Sequence, residues 1–258
     1  MTENIIEITK LNTGYGHQQV HRDLNLTIKR GEILALLGDS GCGKTTLLRT
    51  ILMLQKPNSG MIKLFGTDIV TANAQEIEQI KKRWGVLFQQ NALFSSLTIL
   101  ENIVFLLNEF TDLPHELQRE IALMKITMVG LSAEVAGLYP AELSGGMQKR
   151  AALARAIALD PELLFFDEPT AGLDPKSAES LDDLVLELRK SLGLTIVMIS
   201  HELNSLWHVP DQVAFMGEGK ILEVSTMQQL MQSQQPVIKK YFSGSYTEIY
   251  HRTCRDRS

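Results

Sequence analysis

A glycine-rich segment near the N-terminus, Gly38-Asp39-Ser40-Gly41-Cys42-Gly43-Lys44-Thr45, matches the pattern G-x-x-x-x-G-K-[ST] at every fixed position. Glycines let a backbone curl so that successive N–H groups point at phosphate oxygens, and a following helix adds its positive N-terminus. Lys44 would place a charge on the β- and γ-phosphates, and the Thr45 hydroxyl can ligate Mg²⁺. The pattern predicts a nucleotide site, to which we also assign Thr46. At Cys42 a small residue in a variable position is favoured over a redox role, which needs an activated thiolate.

Two carboxylates, Asp167 and Glu168, follow a strand-length apolar run at residues 163–166. Open parallel sheets bind ligands at the carboxyl ends of their strands. We expect Asp167 to hold Mg²⁺ and Glu168 to orient and deprotonate an attacking water. A pair of acids that ends a strand is often only a solvated turn, but the upstream phosphate loop favours the catalytic interpretation.

A second candidate anion site occurs at Leu143-Ser144-Gly145-Gly146-Met147-Gln148. Ser144 is a natural N-cap, Gly145 and Gly146 allow close backbone approach, and an alanine-rich helix is predicted over residues 149–159. The N-terminus of such a helix attracts anions.

Strands and helices alternate in the pattern that must position these groups. Strands are predicted at residues 24–28, 33–37, 61–65, 86–88, 163–166 and 194–199, with a terminal hairpin at 213–224. Helices are predicted at residues 44–54, 99–107, 114–128 and 175–192 and in the tail to about residue 242. Thr98 and Glu101 form a capping box, and Leu117, Ile121, Met124 and Met128 share one helical face. The alternation predicts an α/β fold with a mostly parallel sheet, interrupted by a helical insertion at about residues 91–159.

Bulk composition narrows the function classes. The 258 residues carry a net charge of −5, which gives no sign of a basic nucleic-acid-binding face. No apolar run approaches bilayer length, and the first residues lack the pattern of a secretory signal. Cys42 and Cys254 lie far apart in sequence, so we expect free thiols and a cytoplasmic location.

The segment LSGGM at residues 143–147 resembles the LSGGQ signature motif of ABC ATPases, and like that motif it precedes the strand ending in Asp167-Glu168. The resemblance implies a P-loop NTPase (RecA-like) core at about residues 1–90 and 160–225, with an N-terminal antiparallel β subdomain. It also implies an inserted helical subdomain at about 91–159 and a helical tail at 226–258. It further implies a dimer around two ATP, in which Ser144 and Gly146 contact the γ-phosphate held by the other copy. Met147 departs from the family's glutamine and puts a side-chain contact there in doubt.

Other residues match further family elements. Tyr15 resembles the aromatic that stacks on adenine, although it could be a turn tyrosine. Gln89 resembles the glutamine that contacts Mg²⁺ and the attacking water, with Gln90 as its rival. Ala171-Gly172-Leu173-Asp174 resembles the loop that crosses the dimer interface, and His201 resembles the switch histidine at the γ-phosphate.

A narrower resemblance is to the ATPases of the Mla/MCE lipid-transport systems. It rests on Leu87-Phe88-Gln89-Gln90-Asn91-Ala92-Leu93-Phe94, where Asn91 replaces the usual glycine, on the methionine of the signature, and on the tail segment from Gln235 to Gly244. It implies a multispanning permease, an MCE-domain protein and a STAS-like subunit as partners, and a position on the cytoplasmic face of a bacterial inner membrane. Transport of a different solute and a non-transport ABC clamp stay open as alternatives. A GTPase switch is disfavoured, because the sequence lacks an N-K-x-D guanine-reading segment.

Overall fold

The computed structural model describes residues 3–243, which form two β-sheets and nine α-helices. The strands are Asn4–Tyr15 (β1), Gln18–Lys29 (β2), Ile33–Leu37 (β3), Ser59–Leu64 (β4), Thr67–Asp68 (β5), Trp84–Leu87 (β6), Leu163–Asp167 (β7), Thr195–Ile199 (β8), Gln212–Gly217 (β9) and Lys220–Ser225 (β10). The helices are Lys44–Ile51 (α1), Ala74–Lys81 (α2), Ile99–Phe110 (α3), His115–Met128 (α4), Gly145–Ala156 (α5), Pro175–Leu192 (α6), Leu203–His208 (α7), Met227–Met231 (α8) and Pro236–Phe242 (α9).

The larger sheet has the strand order β10-β9-β3-β8-β7-β6. Its central strands pair in parallel, and only β10 of the described strands in this sheet runs antiparallel, in a hairpin with β9. Every residue of β3 and β8 is buried, as expected for strands covered on both faces. The prediction of a mostly parallel sheet is confirmed. Because β3, β7 and β8 run in the same direction, the segments that follow them meet at one edge.

The smaller sheet has the order β2-β1-β4-β5, and all its pairings are antiparallel. Its inward residues, among them Leu11, Leu24 and Ile28, are fully buried in a hydrophobic cluster shared with Leu47 and Ile51 of α1. The antiparallel N-terminal sheet expected from the family resemblance is therefore present, and it packs against the helix that follows the phosphate loop.

Helices α3, α4 and α5 lie between β6 and β7, where the sequence predicts a helical insertion. The predicted capping box is formed, because the Thr98 side chain accepts from the Glu101 N–H while the Glu101 carboxylate accepts from the Thr98 N–H. Pro114 is the residue before α4, and Gly130 follows that helix in the left-handed region at φ 73°.

The apolar face predicted on α4 packs inward only in part. Leu117 and Met124 are 41% and 47% exposed, whereas Ile121 and Met128 of the same face are half-buried against the core. The fully buried residues of this helix include Ala122 and Ile126. The inward face also carries Lys125, which is buried at 1% exposure and forms an ion pair with the carboxylate of Asp160. This ion pair lets a charged side chain occupy a face that a hydrophobicity pattern would leave for apolar residues.

Several predicted boundaries shift by a few residues. Helix α1 ends at Ile51 rather than near residue 54, because Met53 adopts a left-handed φ of 58°. Strand β4 ends at Leu64, before left-handed Phe65. The tail is helical as predicted but is divided into α8 and α9, with Pro236 at the first turn of α9.

Within residues 3–243, no helix combines the length and hydrophobicity needed to cross a membrane. Cys254 and Gly244 lie outside the described residues.

Candidate active site

A cavity of about 210 Å³ opens at the edge where β3, β7 and β8 end. Phosphate-loop residues form one wall, and residues that follow β7 and β8 form the other. The lining residues are Ser40, Gly41, Gly43, Lys44, Thr45, Thr46, Glu168, Ile199 and His201. The structure thus brings together the phosphate loop, Glu168 and His201, although Ser40 and His201 are 161 residues apart in sequence.

The phosphate loop has the backbone conformation that its glycines predict. Gly38 and Gly43 have φ values of 149° and 110°. A Cβ atom at Gly38 would lie 2.2 Å from the Met216 carbonyl oxygen, so no larger residue fits there. The Lys44 ammonium donates to the carbonyl oxygens of Gly38 (2.7 Å) and Asp39 (3.0 Å), which places its charge on the loop itself.

His21 packs against the phosphate loop at Gly43, a contact that the phosphate-loop motif does not predict. A Cβ atom at Gly43 would lie 2.5 Å from His21 Nε2 and 2.8 Å from Val20 Cγ1. Burial lowers the pKa of His21 to about 4, against the opposing effect of the Gly43 backbone. The imidazole is therefore neutral at physiological pH, and its Nδ1 shares a 2.6 Å hydrogen bond with the Thr13 hydroxyl. His21 ties the smaller sheet to the phosphate loop.

Glu168 is held in an unusual backbone conformation. Its φ is 51°, in the left-handed region that non-glycine residues rarely adopt, and its N–H donates to the Ile199 carbonyl (2.9 Å). Such strain collects at functional sites, where surrounding structure imposes it. The conformation brings Glu168 Oε1 to 3.3 Å from His201 Nε2. The two residues predicted to act on water and γ-phosphate are in direct contact.

Asp167 lies in an environment suited to a cation. Burial, and then the neighbouring Glu168 carboxylate, raise the pKa of Asp167, while Arg49 and Lys149 act in the opposite direction. A divalent cation beside the pair would relieve this repulsion. Among residues 3–243 no group of three or more His, Cys, Asp or Glu side chains could hold a metal. That is compatible with Mg²⁺, which usually keeps several waters and takes one or two carboxylates plus substrate phosphates. The Thr45 hydroxyl at the cavity supplies a further hard oxygen.

Lys149, on the helix that begins at the signature motif, is a site residue that sequence reasoning missed. The residue is 4% exposed, and its ammonium donates to the backbone carbonyl of Gln89 (2.6 Å). Burial lowers the pKa of Lys149, and the carboxylates of Asp167 and Glu168 oppose that shift. This buried cation therefore bonds helix α5 to the segment after β6 and interacts electrostatically with the carboxylate pair. A lysine within an alanine-rich helix gave no hint of this contact.

The segment after β6 turns sharply. Gln89 and Gln90 are both exposed, and neither lines the cavity. Asn91 and Ala92 follow in the left-handed region, at φ 61° and 52°. The Arg155 guanidinium donates to both of their carbonyl oxygens (3.1 and 2.6 Å). Asparagine tolerates this conformation better than most residues, which explains how it can replace the usual glycine here.

Tyr15 lies beside the helix that follows the phosphate loop. The residue is 52% exposed. Its hydroxyl donates to Gln55 Oε1 (2.7 Å) and lies 3.5 Å from Thr46 Oγ1. An exposed aromatic face fixed next to the phosphate loop is the arrangement expected for stacking on a base.

The signature segment lies outside the cavity of its own chain. Ser144 is exposed and caps α5, since its Oγ accepts from the Met147 N–H (3.3 Å). Cβ atoms added to the two glycines would reach Leu173 and Ser177 only at van der Waals distance (3.8 Å). The segment is therefore next to the loop that precedes α6, and Asp174 of that loop caps α6 by accepting from the Ser177 N–H (3.1 Å).

Comparison with known proteins identifies the family. The model of the family described as ABC transporter matches residues 21–171. The chain belongs to the ABC transporter family. It is 41% identical over 244 residues to the intermembrane phospholipid transport system ATP-binding protein MlaF of Haemophilus influenzae, covering 95% of this chain and 92% of that protein. It is also 36% identical to a probable ribonucleotide transport ATP-binding protein, mkl, of Mycobacterium bovis, covering 93% of this chain and 66% of that protein.

A solved structure shows the same fold. A dimeric, post-hydrolysis state of the ATP-binding cassette MJ0796, bound to ADP and Pi, superposes with a TM-score of 0.78 at 29% identity. The match covers 86% of this chain and 98% of that cassette. The present chain is accordingly an ATP-binding subunit of an ABC transporter that hydrolyses ATP.

Proposed function

We propose that this ABC ATPase powers transport of phospholipids between bacterial membranes and does so as a head-to-tail homodimer around two ATP. The dimer proposal is supported by the separation of the phosphate loop from the signature motif within one chain. The phosphate loop lines a cavity with Glu168 and His201, whereas Ser144 is exposed and does not line that cavity. A second copy can bring its own Ser144 to that cavity. The phospholipid assignment rests on the name of the Haemophilus relative.

Proposed roles fall to residues that line the cavity and to Tyr15, Asp167 and Gln89, which do not line it. The loop from Gly38 to Thr46 cradles the phosphates, with Lys44 supplying charge, and Tyr15 stacks on adenine. When Mg²⁺ is bound it neutralises phosphate charge, and Thr45, Asp167 and Gln89 would hold it. Glu168 accepts a proton from the attacking water, and His201, 3.3 Å away, contacts the γ-phosphate.

The partner copy completes the site with neutral and dipolar groups. The Ser144 hydroxyl and the N–H groups of Gly145 and Gly146, at the N-terminus of α5, would stabilise negative charge on the γ-phosphate. The loop ending in Asp174 would cross the interface beside them. We propose that residues 1–258 form one cassette domain with the helical subdomain, at about residues 91–159, carrying this second anion site.

A membrane permease is the partner that an ABC ATPase subunit requires, and an apolar groove is its proposed docking surface. The groove has a volume of about 450 Å³ and lies between the core and the helical subdomain. Phe94 and Phe105 at the groove are 44% and 46% exposed, and their rings are in edge-on contact. Docking there would place the subunit peripherally on the cytoplasmic face of the inner membrane. An MCE-domain protein and a STAS-like subunit are further proposed partners, and nucleic acid is not.

A mixed dimer tests the composite site. All copies carry Glu168→Gln to block turnover, and retained ATP is counted per dimer after gel filtration. When Lys44→Ala and Ser144→Ala are on different copies, one phosphate loop still faces one intact signature, and one ATP should be retained. When both changes are on the same copy, each site is damaged and none should be retained. The reverse result would show that each chain completes its own site.

The Glu168→Gln change has a matched control in Glu109→Gln, an exposed residue on α3. We expect the first variant to bind ATP and accumulate dimers without releasing phosphate, and the control to turn over normally. Normal turnover by Glu168→Gln would remove that residue from its proposed role.

The transported substrate is tested by purifying a tagged copy from membranes. Co-purification of a permease together with bound phospholipid supports the proposal. A permease with bound nucleotides and no lipid would favour transport of another solute, for which the name of the mycobacterial relative is the specific indication. Recovery without any membrane protein would favour a non-transport clamp.

A further inference from the structure

Three buried polar side chains form a hydrogen-bonded chain next to the active site. Thr170, Asp182 and Ser205 are 2%, 5% and 2% exposed. The Ser205 hydroxyl donates to Asp182 Oδ2 (2.6 Å), and its oxygen lies 3.5 Å from Thr170 Oγ1. Thr170 can therefore donate to Ser205 while Ser205 donates to Asp182. In a low-dielectric interior such a chain is strong when complete and unfavourable when one member is lost.

These hydrogen-bonded side chains connect the two loops that carry Glu168 and His201. Thr170 lies two residues after Glu168, in the loop that follows β7. Ser205 is on α7, four residues after His201 in the segment that follows β8. Asp182 is on α6 and contacts the second loop through Ser205. The two loops also meet at the 3.3 Å contact between Glu168 and His201.

A cavity lies beside the three hydrogen-bonded side chains. It has a volume of about 350 Å³ and is lined by Thr170, Asp182 and Ser205 together with other residues of α6 and α7. Side chains that border a cavity make van der Waals contacts on fewer sides, so the hydrogen bonds through Ser205 contribute more to fixing α6 and α7 relative to each other.

We propose that Ser205 and Asp182 are positioning residues for hydrolysis, which fix the loop bearing Glu168 relative to the loop bearing His201. This inference rests on the proposed roles of those two residues. Neither Ser205 nor Asp182 touches the nucleotide cavity, so both act through the loops. A misplacement of about 1 Å in a catalytic constellation can lower a rate by about 100-fold.

The surroundings of Asp182 favour a fixed carboxylate acceptor. Burial raises its pKa to about 6, while the hydrogen bond from Ser205 and the charge of His208 oppose that rise. The neighbouring carboxylates of Asp183 and Glu179 raise the pKa of Asp182 further. His208 Nε2 lies 2.9 Å from Asp183 Oδ1. The Ser205 hydroxyl is thus the hydrogen-bond donor that stabilises a buried carboxylate at neutral pH.

Ser205→Ala is the first test. We expect kcat for ATP hydrolysis to fall at least about tenfold, with KM for ATP and equilibrium ATP binding unchanged. Ser191→Ala is the matched control. Like Ser205, Ser191 donates its hydroxyl hydrogen bond to a residue of α6, but Ser191 is exposed at the C-terminal end of that helix. The control should retain the wild-type kcat. An unchanged kcat in Ser205→Ala would overturn the proposal.

A double variant separates positioning from stability. Ser205→Ala leaves Asp182 buried without its donor, so the melting temperature should fall. Ser205→Ala with Asp182→Leu removes both polar partners and should restore the melting temperature. If kcat stays low in the double variant, the hydrogen bonds position the loops. If kcat returns together with the melting temperature, the residues serve only folding and the proposal is wrong.

Glu168→Gln, assayed in parallel, distinguishes the two levels of inference. If Glu168→Gln has no ATPase activity while Ser205→Ala is fully active, only the positioning role of Ser205 and Asp182 is refuted. An active Glu168→Gln refutes the proposed catalytic role, and with it this inference.

Discussion

Ser144 and Thr98 make the same local contact, and their comparison can isolate the role of the signature serine. Each side chain caps a helix of the same insertion, and each accepts from the backbone N–H three residues ahead at 3.3 Å. Replacing such a cap with alanine destabilises a protein by about 1 kcal/mol, within a range of about 0.5–2 kcal/mol. In a chain of this size that lowers the melting temperature by about 2–4 °C.

Ser144→Ala and Thr98→Ala should differ strongly only in their effect on kcat for ATP hydrolysis. Thr98 also donates to Glu101 Oε2 (2.9 Å), so Thr98→Ala should be destabilising by at least as much as Ser144→Ala. A hydrogen bond to a charged group contributes about 1.5–3 kcal/mol. If Ser144 contacts the γ-phosphate in the transition state, Ser144→Ala should reduce kcat about 10- to 150-fold.

The assay is steady-state phosphate release, accompanied by thermal unfolding and by binding of a fluorescent ATP analogue to the monomer. We expect equal analogue binding and similar melting temperatures for the two variants, and a large loss of kcat only in Ser144→Ala. Equal kcat values at equal stability would show that Ser144 is a helix cap and nothing more. That result would refute the composite site.

Three further predictions concern single groups. A thiol reagent should inactivate the enzyme through Cys42, because the Cys42 sulfur lies 3.7 Å from Lys44 Nζ, and bound ATP should protect the thiol. A wild-type enzyme that is insensitive to the reagent would contradict this placement, as would inactivation that persists in Cys42→Ala. Lys149→Met should lower kcat about tenfold or more while ATP binding persists, because it removes the cation near the carboxylates at the end of β7. Phosphate release and equilibrium ATP binding measure the two effects, and an unchanged kcat would refute the role. Two arginine side chains hold the pKa of Glu162 below its ordinary value of 4.5, so its stabilising effect is present above pH 4.5 and lost as the pH falls through the lower folded value. Denaturant unfolding across this range should show a smaller acid loss in Glu162→Gln, and identical profiles would contradict the assignment.

The sequence alone determined the chemistry that depends on local order. The phosphate loop, the strand before the carboxylates and the cap at Ser144 each occupy one short segment, and their spacing fixes backbone conformation directly. Alternation of strand and helix patterns was enough to predict the parallel sheet, because short crossovers favour one arrangement. These predictions required no contact between distant residues.

Only the tertiary structure decided which distant groups meet. The contact of Glu168 with His201 depends on neighbouring parallel strands, and the left-handed φ of Glu168 is imposed by its surroundings. The burial of Lys149 against a backbone carbonyl depends on how the helical insertion packs on the core. The inward face of α4 carries Lys125 because an ion pair, invisible to a hydrophobic pattern, stabilises its charge. Local propensities act over a few residues, whereas burial and electrostatic pairing are properties of the assembled fold.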